Sequence, residues 1–433
     1  MASEPLLNDD DSANNVDFPV TVDRIMWITE QKLKRARRMK PNFSNNSLLH
    51  TVLWKNTWKR LDAMPKEDFV LPARSTKKRA VVSELQSTAS PEPVVAKKKS
   101  KKNKEGGASK WKLVTAGKTK EVTRGKNAPQ FLDKGVVLNG RYRIERMIGG
   151  GGFGQIYRAA EEDKNRMIAI KVEPVDHEPS RMILEQKVLN MLRGSKHIPL
   201  LIASGTFQDC MFIAMEMLGA NLCDIRKKRA TRRLSVPTTL RIGQQAVEAL
   251  KLVHDTGYLH RDIKPSNMCV GLTAASQQRT LYLVDFGMTR RFRTEEGSFR
   301  KERIYAGFRG TLRYVSLTVH DRREQGPVDD VWSLHYSLME LAEGNLPWKN
   351  LVDPDEIARK KETSSFRDIC RHLPKGVRAF PEYLSRLAYN QVPDYAKLVS
   401  ILKASENYPK GISEEEPFDW EFDDSMENFL GSP

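Results

Sequence analysis

The middle of the chain contains short stretches in which apolar and polar residues follow the period of a β-strand. The stretch RYRIERMIG (141–149) alternates in this way, and QIYRAAE (155–161) and RMIAIKVE (166–173) have the composition of two more strands. The next stretch, 180–194, spaces its apolar residues three and four apart, which predicts a helix. Three strands followed by a helix are therefore expected between 141 and 194.

The remainder of the periodic region changes from strand to helix. Two more strands are predicted at 201–206 and 210–216, and helical spacing follows at 236–256, 329–343 and 377–403. A small strand-rich part followed by a large helical part is typical of an α+β fold.

The two ends of the chain have a different composition. Residues 1–134 contain 28 of the 72 Lys and Arg and 15 of the 55 Asp and Glu, so they carry +13 of the net charge of +17. We interpret 1–134 as a basic, mostly disordered extension that permits short helices within 17–62, where three tryptophans occur. An acidic tail is predicted for 406–433.

Several classes of protein are disfavoured by composition. No apolar run reaches the roughly 18 residues that a membrane span needs, and the acidic N-terminus does not resemble a signal peptide. The four cysteines are widely spaced, which favours reduced thiols over disulfides or a zinc site. We therefore expect a monomer without a membrane partner, in the cytoplasm and/or nucleus.

The basic extension permits two interpretations. Its Lys-rich runs at 77–79 and 97–104 suit a polyanion or cytoskeletal partner. They are equally consistent with a solvated tail that nothing recognises.

The first motif with chemical meaning is the glycine-rich stretch IGGGGFGQI (148–156). Gly149, Gly151 and Gly154 have the GxGxxG spacing, and glycine lets backbone amides approach phosphate oxygens closely. A dinucleotide-binding fold shares this spacing but continues into a helix. Here a strand follows, which favours a loop that covers nucleotide phosphates.

A lysine within a predicted buried strand is the second candidate. Lys171 lies between apolar residues in AIKVE, 17 residues after Gly154, so its charge needs a buried partner. Glu185, on the predicted helix 14 residues later, is the expected partner.

The third and fourth motifs supply a base and metal ligands. LHRDIKPSN (259–267) matches the pattern H-R-D-x-x-x-x-N, in which Asp262 is the expected base, Lys264 stabilises the transferred phosphate and Asn267 binds magnesium. In LVDFG (283–287), Asp285 is the second expected magnesium ligand.

These motifs occur in the order and spacing of eukaryotic protein kinases, and the resemblance covers about 139–405. It implies a bilobal fold, with a small β-rich N-lobe (139–216) and a large helical C-lobe (217–405). It also implies ATP and Mg²⁺ as cofactors and protein serine or threonine as the phosphate acceptor. The expected catalytic residues are Asp262, Lys264, Lys171 and Glu185.

The resemblance further implies which residues line the ATP site. Met215 corresponds to the gatekeeper and the residues from Glu216 onward to the hinge. The full expected set is Ile148, Gly149, Gly150, Gly151, Gly152, Phe153, Gly154, Gln155, Ile156, Ala169, Lys171, Met215, Glu216, Met217 and Leu218.

Within the superfamily the chain resembles the casein kinase 1 group. Ser316-Leu317-Thr318 stands where most kinases have Ala-Pro-Glu, and that group has a Ser-Ile-Asn type triplet there. AGFRGTLRY, DDVWSL and NLPWKNL are similar to the tau-tubulin kinases. In this alignment Asp330 would hydrogen-bond the catalytic-loop backbone.

The resemblance also implies a basic substrate groove. Arg313 and Lys361 would approach it and favour acidic or already phosphorylated sequences. The alternatives to an active serine/threonine kinase are a pseudokinase scaffold and a protein whose basic extension is the active part.

Overall fold

The computed structural model describes residues 128–151, 154–175, 179–272, 276–406 and 416–421. The predictions for 1–127, including the helices within 17–62, lie outside these described residues.

A six-stranded antiparallel sheet forms the N-terminal part of the described chain. Its strands have the order β1-β2-β3-β4-β6-β5. Strands that are neighbours in sequence are therefore paired in the sheet, except β4 and β5, because β4 pairs with β6 instead. The bounds are β1 Val137–Leu138, β2 Tyr142–Gly150, β3 Gln155–Glu161, β4 Arg166–Pro174, β5 Leu201–Phe207 and β6 Cys210–Glu216. Helix α1, Pro179–Met191, connects β4 to β5. The predicted strands and this helix are thus confirmed to within three residues at each end.

The C-terminal part is mainly helical. Its helices are α2 Leu222–Lys228, α3 Val236–Asp255, α4 Leu317–His320, α5 Pro327–Glu343, α6 Pro354–Thr363, α7 Phe366–Ile369, α8 Ala379–Leu384 and α9 Tyr395–Glu406. Its short strands are β7 Tyr258–Leu259, β8 Met268–Val270, β9 Leu281–Leu283 and β10 Arg290–Arg291. The predicted α+β fold is therefore confirmed.

Local chemistry sets the ends of the long helices. Helix α3 begins after Ser235, whose hydroxyl accepts a hydrogen bond from Thr238 N at 3.3 Å. Helix α5 ends at Gly344, which has a φ of +80° that a side chain would disfavour. These caps explain why α3 and α5 agree closely with the predicted helices.

The predicted helical region 377–403 is wrong in its middle. The structure has α8 and α9 separated by residues 385–394, and Pro393 lies just before α9. The proline ring disfavours helical backbone in the preceding residue, and Asp394 accepts a hydrogen bond from Lys397 N at 2.9 Å. A helix therefore starts again here.

Two apolar cores underlie this architecture. The smaller one lies within the sheet, around Tyr157, Ile168 and Phe212. The larger one joins the helices of the C-terminal part to Val188 and Leu189 of α1. Helix α1 is therefore anchored to the helical core as well as to the sheet.

The packed region extends beyond the predicted limits of 139 and 405 on both sides. Gln155 Nε2 donates to Pro129 O at 2.8 Å, and Leu132 N donates to Tyr157 Oη at 3.1 Å. At the other end, the described segment 416–421 lies against the start of α3, where Ser235 N donates to Asp419 Oδ2 at 2.6 Å. Part of the predicted acidic tail is thus built into the helical part.

The side chains of this C-terminal segment are deeply buried. Phe418 and Trp420 stack with ring centroids 4.8 Å apart, and Arg241 lies 4.0 Å above the Phe418 ring. Trp420 Nε1 also donates to Gln278 O at 2.9 Å. The segment therefore contributes a hydrophobic anchor.

We expect Trp420→Ala to lower the free energy of unfolding by about 3–5 kcal/mol, because it removes a large buried side chain and leaves a cavity. Chemical denaturation monitored by circular dichroism measures this change. Val352→Ala is the matched control, since Val352 is 84% exposed and its loss should cost within about 0.5 kcal/mol. Equal stability of the two variants would contradict the anchoring role.

No helix among the residues that the structure describes is long and apolar enough to cross a membrane.

Candidate active site

Lys171 lies at the centre of a buried ion cluster. Its Nζ is 2.5 Å from Glu185 Oε2 and 3.0 Å from Asp285 Oδ1. The strand β4 places the lysine, and α1 brings the glutamate to it, as the sequence predicted. Glu173, two residues further along β4, lies 3.7 Å from the same Nζ, and the sequence analysis did not identify it. Its position directly after the AIKV stretch could have indicated that it belongs to this cluster.

The charges in this cluster stabilise one another. Burial opposes the charge of Lys171, but Asp285, Glu185 and Glu173 together raise its pKa above the ordinary lysine value. The positive charge of Lys171 lowers the pKa of Asp285 to about 2, and this outweighs the opposing effect of partial desolvation. Both groups are therefore charged at neutral pH, as phosphate and metal binding require.

The glycine-rich stretch joins β2 to β3, and its last glycine, Gly154, lies next to Glu173 of this cluster. Gly151 N donates to Gly154 O at 3.0 Å, which closes the turn. A Cβ on Gly154 would lie 2.6 Å from Val172 O and 2.7 Å from Glu173 Cγ, so only glycine fits there. Gly152 and Phe153 lie outside the described residues.

Other residues of the expected ATP site lie on neighbouring strands of the sheet and are paired across them. Ile156 is opposite Gly149 on one side and Lys171 on the other, and Ala169 is opposite Met215. Strand β6 ends at Glu216, and Gly219 N then donates to Val270 O at 2.9 Å, which connects the expected hinge to the helical part. The sheet thus brings these residues together, and their contacts with a nucleotide stay predictions.

Asp262 is held by three side chains. Lys264 Nζ lies 2.5 Å from Asp262 Oδ2, and Thr311 Oγ1 donates to Oδ1 at 2.7 Å. Asn267 Nδ2 donates to the Asp262 carbonyl oxygen at 2.9 Å. These contacts therefore fix the position of the carboxylate.

The sequence analysis did not identify Thr311. Its hydroxyl also lies 3.3 Å from Lys264 Nζ, so it links the two predicted catalytic residues. The preceding Gly310 has a φ of +111°, and a Cβ there would lie 2.7 Å from Arg261 O. Gly310-Thr311 was the available signal, since a glycine permits the close approach that lets the threonine reach Asp262.

The backbone before Asp262 has an unusual conformation. Arg261 has a φ of +67°, a region that non-glycine residues seldom adopt. The amides of His260 and Arg261 both donate to the buried Asp330 carboxylate at 2.7 Å. Burial would raise the pKa of Asp330, but its hydrogen bonds with His254 and with the amide of His260 hold the pKa below its ordinary value.

Asn267 and Asp285 provide an oxygen site that suits magnesium. Because Asn267 donates through Nδ2 to the Asp262 carbonyl oxygen at 2.9 Å and to Asp262 Oδ2 at 3.3 Å, its Oδ1 is the atom that would bind a cation. The Asp285 side chain is 41% exposed and anionic. Magnesium usually binds proteins through one or two such oxygen ligands together with substrate phosphates, so ATP phosphates would complete this site.

The structure corrects the prediction that Lys361 approaches a substrate groove. Lys361 is only 4% exposed, and its Nζ donates to Leu312 O at 2.8 Å and to Val315 O at 2.6 Å. Burial lowers the pKa of Lys361 well below the ordinary lysine value. Lys361 therefore holds the backbone of 312–315 and does not face a substrate.

Arg313 remains accessible on the same segment. Its Nη1 lies 3.1 Å from the buried Glu340 Oε1, and its side chain is 37% exposed. The carboxylate of Glu340 also accepts a hydrogen bond from Tyr314 Oη. Arg313 is thus oriented by a fixed anion, and its contact with a substrate stays a prediction.

Comparisons with known proteins agree with this geometry. The protein-family model described as "Protein kinase domain" matches residues 142–394 of this chain. A Dictyostelium discoideum protein described as "Probable serine/threonine-protein kinase" is 40% identical over 288 residues, which are 66% of this chain and 58% of that protein. The chain thus spans less than two thirds of that relative's length.

Two Caenorhabditis elegans proteins are also similar. One described as "Putative casein kinase I" is 40% identical over 313 residues, covering 70% of this chain and 89% of that protein. One described as "Putative serine/threonine-protein kinase" is 33% identical over 279 residues, covering 63% of this chain and 80% of that protein. The chain therefore belongs to the protein kinase family, in its serine/threonine branch.

Proposed function

We propose that this protein is an active kinase that transfers the γ-phosphate of ATP to serine or threonine side chains of protein substrates. The observation that carries this proposal is the position of Lys171 Nζ within hydrogen-bond distance of both Glu185 and Asp285. A protein kinase is competent only when this lysine–glutamate pair and the metal-binding aspartate are in place together.

The individual residues have separate tasks in this proposal. Lys171 positions the α- and β-phosphates, and Asp262 orients the hydroxyl and accepts its proton. Lys264 stabilises negative charge on the transferred phosphoryl group. Magnesium, held by Asp285 and Asn267, would neutralise charge on the phosphates.

The test is ATP-dependent phosphorylation of a peptide library by the full chain, with transfer of labelled phosphate as the measurement. Transfer to serine- or threonine-containing peptides supports the proposal. Binding of ATP without any transfer would instead support the pseudokinase alternative.

We also propose that the protein is a casein kinase 1 type kinase, similar to the tau-tubulin kinases. Ser316, the first residue of the unusual triplet, donates through Oγ to Asp329 Oδ1 at 2.5 Å, and Lys361 secures the backbone just before it. A side-chain hydrogen bond thus holds the triplet that begins at Ser316 against α5. The likeness to the protein described as "Putative casein kinase I" supports the assignment.

The subtype proposal is tested with casein and with purified tau and tubulin as separate substrates. Faster transfer to casein or tau than to a basic control protein supports it. Equal, slow transfer to all of them would contradict it.

A preference for acidic or phosphorylated substrates is the finer part of the proposal, and it now depends on Arg313 and not on Lys361. Arg313→Gln should lower kcat/KM for an acidic peptide by about 10-fold, the equivalent of one charge-assisted hydrogen bond of about 1.4 kcal/mol. Steady-state kinetics with acidic and neutral versions of one peptide measure the preference.

The control for this prediction is Arg359→Gln, which changes an arginine on α6 that is 43% exposed. It should leave both peptides unaffected. If Arg313→Gln lowered kcat/KM equally for both peptides, Arg313 would maintain the structure and would not select substrates by their charge.

A further inference from the structure

A single buried carboxylate holds two arginines of the activation segment, which we define as residues 285–316. Glu324 lies between α4 and α5 and is 3% exposed. The guanidinium group of Arg303 donates a hydrogen bond to each carboxylate oxygen of Glu324, with Nη2 3.1 Å from Oε1. Arg290 Nε lies 3.6 Å from Oε1. The carboxylate thus joins the beginning of the segment to its middle.

The first of these arginines leads directly to the catalytic loop. Arg290 is in β10, which pairs with β7 so that Arg290 lies opposite Leu259, one residue before His260. Arg261, beside the base, donates through Nε to Met288 O at 2.6 Å and through Nη2 to Thr289 O at 3.3 Å. The catalytic loop and the start of the segment are therefore one connected structure.

The positive charges in this region repel one another. Burial and the charges of Arg290, Arg309 and Arg303 lower the pKa of Arg261 to about 9, whereas Glu324 raises it. Burial alone would raise the pKa of Glu324, but the hydrogen bond and charge of Arg303 hold that pKa below its ordinary value. The carboxylate is therefore charged and offsets part of the repulsion.

The loop that carries Glu324 also holds the segment close to the base. Gln325 Nε2 donates to Arg309 O at 3.1 Å, two residues before Thr311, which contacts Asp262. Ala306 N donates to Arg322 O at 2.8 Å. Displacing this loop would displace the residues that orient the Asp262 carboxylate.

Many kinases order this segment with a phosphate that pairs with arginines. We propose that Glu324 is a positioning residue that supplies this negative charge from within the chain, so that catalysis needs no phosphate on the activation segment. The proposal rests on the kinase activity proposed above. It concerns the substrate-binding conformation and not the chemistry, because Glu324 acts through Arg303 and Arg290.

The test compares full-length wild type, Glu324→Gln and Glu324→Asp, each treated with phosphatase and checked by mass spectrometry. Wild type should be fully active without segment phosphate. Glu324→Gln should lose about 10²-fold in kcat/KM for a peptide, as small displacements at an active site do, while KM for ATP changes little. Glu324→Asp should retain most activity because it keeps the charge.

Two further measurements separate positioning from general stability. Trypsin should cleave after Arg300, Lys301 and Arg303 faster in Glu324→Gln than in wild type, at a temperature well below the midpoint of thermal unfolding of both proteins. In Glu324→Ala, added formate should restore part of the activity, and chloride at the same ionic strength should not. Glu302→Gln is the matched control, since Glu302 pairs with Arg323 on the surface at 3.4 Å, and it should behave as wild type.

The outcomes that overturn the proposal are distinct from those that overturn kinase activity. Wild-type kinetics and trypsin resistance in Glu324→Gln would overturn it, as would equal losses in the Gln and Asp variants. Wild type that becomes active only after segment phosphorylation would overturn it even if every variant failed to fold. Absence of transfer by wild type in any state would instead refute the kinase assignment.

Discussion

Asp262→Asn is expected to lower kcat by about 10²–10⁴-fold, the usual contribution of a positioned general base. Asparagine keeps the shape of the side chain and can still accept the hydrogen bond from Thr311, but it cannot accept a proton at neutral pH. The affinity for ATP should change little, because Asp262 contacts Lys264, Thr311 and Asn267 and not the Lys171 cluster. Steady-state phosphotransfer and nucleotide-binding measurements on the same preparation give both quantities.

The control for this variant is Asp255→Asn, at the end of α3. Asp255 is 54% exposed and pairs with Lys251 in the same helix, so its loss should leave kcat unchanged. Retention of near wild-type turnover in Asp262→Asn would remove Asp262 from the mechanism and favour the pseudokinase alternative.

Lys171→Met is expected to abolish measurable phosphotransfer and also to destabilise the protein. The change leaves Glu185, which is 2% exposed, without its cation. Breaking a buried ion pair by removing one partner typically costs about 3–5 kcal/mol, because the remaining charge is uncompensated. Chemical denaturation and the phosphotransfer assay measure the two effects separately.

A double variant distinguishes the two roles of Lys171. Adding Glu185→Gln to Lys171→Met should recover much of the lost stability, since the second change removes the unpaired carboxylate. Activity should remain absent, because no cation is left for the phosphates. If the double variant were as unstable as the sum of the single changes, the ion pair would not be the source of the instability.

The catalytic cluster was predictable because the chemistry fixes both residue type and spacing. Lys171, Asp262 and Asp285 each lie in a motif whose neighbours are equally constrained. The structure places Lys171 beside Asp285 and Lys264 beside Asp262. The strands were predictable for a related reason, since β-sheet burial imposes a period of two on the sequence.

Positions governed by tertiary contacts were not predictable in this way. Lys361 was interpreted as a surface cation, yet its ammonium group is buried and donates hydrogen bonds to carbonyl oxygens of the activation segment, 46 and 49 residues away. Thr311 contacts Asp262, 49 residues away, and Glu324 contacts Arg303, 21 residues away. No local sequence pattern indicates such pairs. The break between α8 and α9 was visible in Pro393 but was outweighed by the helical spacing on both sides.

The anchoring of segment 416–421 has a practical consequence for recombinant fragments. A fragment cut at the family match, 142–394, would end one residue before α9 and would lack the aromatic pair beneath Arg241. It would expose apolar surface on α3, the helix that leads into the catalytic loop, and could aggregate for reasons unrelated to catalysis. A fragment beginning at 128 and continuing through 421 retains the packing at both ends.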